Sequence, residues 1–118
     1  MAFREGRERD LTSRFGSQRI SGIQLDFGGI VFFVGSDRSA YIKFANLYKL
    51  KGGETIPIFR DDRANLEVTD LLMQEIKGFE LTSEGLIMSL GNDVDLCCRT
   101  NDNIEAVVSS DGHFLVFY

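Results

Sequence analysis

At 118 residues, with 43% hydrophobic and 11% aromatic side chains, the chain has the size and composition of one globular domain that needs no disulfide or metal to hold a core. Its net charge of -5 is uneven: residues 1–19 hold five arginines against three acids, and residues 20–118 hold eight basic against fifteen acidic groups. An acidic body repels phosphate backbones, which argues against nucleic-acid binding by the folded part and suits a basic protein partner. The first ten residues lack the apolar run of a secretory leader and no stretch approaches a membrane span, so the cytoplasm is the expected compartment.

Residues 1–18 mix Arg, Glu, Gly and Ser around few apolar side chains and read as a flexible charged tail, leaving 19–118 as the globular domain. From Arg19 to Asp26, Ile23 and Leu25 alternate with Gln24 and Asp26, the period of a half-buried strand. Gly28-Gly29 supplies a tight turn, and Ile30 to Val34 is a strand apolar on both faces. A turn at Ser36-Asp37-Arg38 leads to a third strand around Ala40, Ile42 and Phe44. Thr55 to Phe59 contains Pro57, which cannot donate to a ladder, so the segment reads as an edge strand at best. Asp61 to Met73 is the expected helix, with Asp61 and Asp62 at its N-terminus. Strands follow at Gln74–Thr82, bent at Gly78, and at Leu86–Leu90, Val94–Arg99, Ile104–Val108 and His113–Tyr118.

Gly22 to Asn46 and Gly78 to Asn103 share a pattern. Overlaid without a gap, Gly22, Leu25, Gly29, Gly35 and Asp37 fall on Gly78, Leu81, Gly85, Gly91 and Asp93, with apolar residues matched between them. That alignment sets Asp95, Cys97-Cys98 and Arg99 opposite Ser39, Tyr41-Ile42 and Lys43. The expected fold is mainly β, with α+β as the second reading. Two similar three-stranded antiparallel units form a curved or barrel-like sheet or a sandwich, with one short helix between them.

Cys97, Cys98 and His113 contain the elements of a thiol nucleophile and base, but their spacing does not bring them together. Cys98 is expected in the core beside Leu96 and Cys97 partly exposed. Asp93, Asp95 and Asp102 lack the ordered ligands and closing Glu of a calcium loop, and neither a P-loop nor GxGxxG is present, so no metal or cofactor is expected. The same acidic groups, Asp61, Asp62, Asp93, Asp95 and Asp102, are the expected contacts to a protein partner.

The strand-GG-strand start, the short helix near Leu66 to Met73, "GLIMSLGNDVDL" and "NIEAVVSSDGHFLVFY" together resemble a group of small, largely uncharacterised bacterial β-rich domains. Some of these are encoded beside toxins as immunity proteins. The chain departs from their pattern at Ala106-Val107 and Asp111-Gly112, and no residue role is carried over. The resemblance implies a non-enzymatic domain that neutralises a basic toxin domain. Two alternatives stay open: a self-associating structural or regulatory domain joined through Ile30–Val34, and a small hydrolase or ligand-binding barrel using Cys97, His113 or a cavity between the units.

Overall fold

The structure, a computed structural model, describes residues 7–36, 40–61, 63–83, 85–91, 93–99, 104–108 and 113–117. Helix α1 (Arg7–Phe15) is followed by β1 (Ile20–Asp26), β2 (Gly29–Val34), β3 (Ala40–Phe44), β4 (Leu47–Lys51), β5 (Glu54–Arg60) and β6 (Arg63–Ala64). A 3₁₀ helix, Leu66–Leu71, leads into β7 (Ile76–Thr82), β8 (Gly85–Leu90), β9 (Asp95–Arg99), β10 (Ile104–Val108) and β11 (His113–Phe117). The fold is mainly β. One antiparallel sheet has the order β1-β2-β3-β10-β11 and the other β6-β5-β4-β9-β8-β7.

The sequence repeat is a repeat of register. Ile20 pairs with Val34, Gly22 with Phe33 and Asp26 with Gly29; 56 residues on, Ile76 pairs with Leu90, Gly78 with Ser89 and Thr82 with Gly85. Both hairpins shift register at the same place, between Ile20 and Gly22 and between Ile76 and Gly78. The third strands depart from the gapless overlay. Phe32 pairs with Ile42 whereas its counterpart Met88 pairs with Leu96, because the turn before β9 is two residues shorter. Asp95, Cys97, Cys98 and Arg99 therefore stand opposite Tyr41, Lys43, Phe44 and Ala45. A shift of two keeps every side chain on its face, which is why the apolar matching survived the wrong register.

The fourth and fifth strands are exchanged. β4 leaves the first unit and pairs with β9 of the second, and β10 leaves the second and pairs with β3 of the first. The two sheets also meet directly. Ile20 N–H donates to Gln74 O and Met73 N–H to Ile20 O, at 3.0 and 2.7 Å; Ile76 N–H donates to Gln18 O and Ser17 N–H to Ile76 O, at 2.8 and 2.7 Å. The second pair of bonds is the first with the units exchanged. Arg19 and Glu75, themselves 56 residues apart, bridge each other at the centre, and an approximate twofold axis runs between them. Ser17 and Met73, likewise equivalent, share a left-handed backbone at φ 67° and 68°.

The inner faces of both sheets build one hydrophobic cluster: Ile30, Phe32, Ile42 and Phe44 from one, and Leu86, Met88, Leu96 and Cys98 from the other. Helix α1 corrects the expectation of a loose tail from Arg7 to Phe15, and residues 1–6 lie outside the described residues. Leu11 and Phe15 lie one turn apart on one helix face and are fully buried in that cluster. The helix covers β7, the outer strand of the second sheet. Thr12 Oγ1 accepts from Phe79 N–H at 2.9 Å, just past the bulge at Gly78, and the Phe15 and Phe79 rings lie 6.4 Å apart.

The helix expected over Asp61–Met73 is shorter and of a different kind. Val68 and Leu71 are buried three residues apart, the period of a 3₁₀ turn, while Leu72 and Met73 are exposed. Asn65 caps it, its side chain accepting from Glu67 N–H at 2.9 Å, so Asp61 is no helix start. Asp61 instead takes a left-handed turn conformation, φ 52°, between β5 and β6. β5, read as an edge strand, has β6 outside it.

Candidate functional site

Equivalent positions on the two sheets separate what the fold requires from what it leaves free. Inward rows agree in character, as in Ile42 with Leu96 and Phe32 with Met88. Outward rows differ. On the second sheet the row Ile87, Cys97 and Tyr48 is buried, although it points away from the core, and the Arg99 guanidinium lies 4.3 Å above the Tyr48 ring. That cation packs over the Tyr48 end of the row.

The first sheet differs in its outward rows over β1–β3. Gln24, Asp26, Val31, Phe33, Tyr41 and Lys43 line an open groove of about 230 Å³. Phe33 and Tyr41 stand opposite each other in the β2–β3 ladder, with ring centroids 6.2 Å apart and an edge-on tilt of 61°. Gln24 Nε2 donates to Asp26 Oδ1 at 2.6 Å, which fixes the carboxylate at the rim. The groove therefore has an aromatic floor with a carboxylate, an amide and an ammonium around it. Beside it the β1–β2 turn presents Phe27, 94% exposed, and Leu25, 53% exposed. Phe27 occupies the tip of the hairpin, in a two-residue loop whose other member, Gly28, takes φ 90°.

Of the acidic residues expected as contacts, Asp61 lies apart from Asp93 and Asp95. Asp93 sits on the β8–β9 turn, at the end of the second sheet where β4 turns into β5; Asp61 follows β5 at the opposite end. Each is exposed and already faces a cation, Lys77 at 3.8 Å from Asp93 and Arg60 at 3.6 Å from Asp61. Asp95 is half-buried on the outward face of β9, level with Leu50 and Ser89. Asp62 and Asp102 lie outside the described residues.

Cys97 is 2% exposed and Cys98 fully buried, which corrects the expectation of a partly exposed Cys97. His113 belongs to β11, in the other sheet. Ile30–Val34, expected as a joining surface, is an inner strand flanked by β1 and β3, with Ile30, Phe32 and Val34 in the core. Where the units meet, an open cleft of about 470 Å³ is lined by Ser17, Gln18, Arg19, Ser21, Gly35, Ser36 and Met73, and Arg19 Nη1 donates to Met73 O at 2.9 Å.

Comparison with family models, curated proteins and solved structures gives no match to this chain. Among the described residues no helix is long and apolar enough to cross a membrane.

Two sequence signals pointed to the groove and the tip. An aromatic in a two-residue hairpin loop has no interior to enter, and a strand apolar on both faces must present one of them outward. The sequence reading weighed the second of these signals as a strand property and passed over Phe27 in the loop.

Proposed function

We propose that this protein is a non-enzymatic binding domain whose partner is a basic protein, and that it belongs to the immunity class, neutralising a basic toxin domain. The observation that carries the reading is the Phe27 tip beside the Phe33–Tyr41 groove. An exposed aromatic on a short turn is a ready anchor for a pocket on a partner, and Tyr and Phe beside a carboxylate make a surface of hot-spot character. Asp26 at the rim, together with the acidic excess of residues 20–118, favours a basic surface opposite. On this reading Asp61, Asp93 and Asp95 act at long range, raising the encounter rate rather than locking the complex.

The test takes a basic protein encoded beside this gene and measures its affinity for the wild type and for Phe27→Ala, Tyr41→Ala and Asp93→Lys. Phe27→Ala and Tyr41→Ala should each weaken binding by about tenfold or more, with the melting temperature of the Phe27 variant unchanged. Asp93→Lys should slow association and flatten its salt dependence while altering dissociation little. Wild-type affinity in both aromatic variants would remove the groove and tip from the interface. Absence of binding by any basic neighbour would remove the immunity reading.

A further inference from the structure

We propose that the outer edge of β11 pairs with the β11 of a second copy of this chain, antiparallel about a twofold, extending the first sheet across two molecules. β11 is the last strand of its sheet, and among the described residues no strand pairs with its outer edge. The exchanged topology supplies an internal comparison. Tyr48 pairs with Cys97 and with Pro57; its counterpart Glu105 pairs with Lys43 and with Val116. β11 is thus the equivalent of β5, and Val116 the equivalent of Pro57.

The two strands treat the same edge differently. On β5 the edge is closed twice. Pro57 interrupts its row of donors, and β6 lies outside it, with Asn65 N–H donating to Ile58 O at 2.7 Å. On β11 the sequence His-Phe-Leu-Val-Phe has no proline, glycine, carboxylate, Lys or Arg. A five-residue strand of this composition is a template for another strand.

Charge selects the occupant. Two molecules of net charge -5 can bring this strand together without setting carboxylates against each other, whereas a basic partner finds no acid on it. The molecule already makes such a junction internally, where β1 and β7 meet antiparallel across the approximate twofold at Arg19 and Glu75. This inference is independent of the groove and its partner.

Sedimentation equilibrium of the full chain, from about 10 µM to about 1 mM, covers the weak end of specific affinities. The wild type should shift toward the mass of a dimer. Val116→Pro copies the chain's own closure from β5, at the position equivalent to Pro57; it should remain monomeric with an unchanged circular dichroism spectrum. A wild type that stays monomeric throughout, or a folded Val116→Pro that dimerises equally, overturns the proposal. Hydrogen exchange on the wild type supplies a readout independent of the variant's folding. Protection of β11 amides should rise with concentration, and protection that appears only when another protein is added assigns the edge to that partner instead.

Discussion

Gly85 and Gly29 occupy the same position in the two units and need their missing side chain for different reasons. Gly85 holds φ 144°, and a Cβ there would collide with the Cys98 carbonyl across the β8–β9 ladder. At Gly29 an added Cβ would lie 2.6 Å from Lys43 Cε, which can swing away, but also 2.9 Å from the Phe44 carbonyl oxygen. Gly85→Ala should therefore cost about 3 kcal/mol in urea denaturation, and Gly29→Ala distinctly less. The buried thiols give a second check. With both side chains buried, the cysteines should resist labelling in the native protein and react on unfolding. Arg99→Ala should cost about 0.5–1 kcal/mol and accelerate labelling of Cys97 while leaving Cys98, on the core face, unchanged.

Helix α1 shows what a short element can contribute. Phe15→Ala should destabilise by about 3–5 kcal/mol, because the ring is wholly enclosed and packs at a tilt against Phe79; chemical denaturation of the variant checks this. A harmless effect would restore the loose-tail reading. The helix was hard to see in the sequence because its apolar face consists of Leu11 and Phe15 alone, among arginines and acids that resemble a solvated tail. Strands were more legible: alternation around Ile23 and Leu25, glycine turns and the doubly apolar Ile30–Val34 each have a local cause. The exchange of β4 and β10 had none, since pairing between distant strands leaves no periodic trace in either. Asp93 was legible as a turn residue and Asp61, expected at a helix start, was not; their placement at opposite ends of a sheet depends on that same exchange. The doubly apolar β2 signals an outward apolar face, but the pairing of Phe33 with Tyr41 that makes it a groove is set by the β2–β3 register.

At the scale of the whole molecule the approximate twofold accounts for the repeated pattern, the shared left-handed turns at Ser17 and Met73, and the meeting of the sheets at Arg19 and Glu75. It also divides the labour. Inward rows are held to one character by the common core, and outward rows are free to diverge, into a buried row on the second sheet and an open aromatic groove on the first.

The exchanged strands turn the two halves into a clasp. β4 and β5 complete the second sheet and β10 and β11 the first, so neither half of the chain contains a finished layer. Cutting the backbone before the 3₁₀ helix should leave two fragments that are each largely unstructured alone. Mixed in equal amounts they should regain the native far-ultraviolet spectrum at a rate that rises with concentration. Fragments that fold separately and ignore each other would contradict the topology. In the intact chain the same interlock requires contacts between distant segments before either sheet is whole, which places its folding among the slower small domains, in milliseconds to seconds. A nascent chain can close its second layer only once β9 is made, and its first only after β10 and β11 have followed.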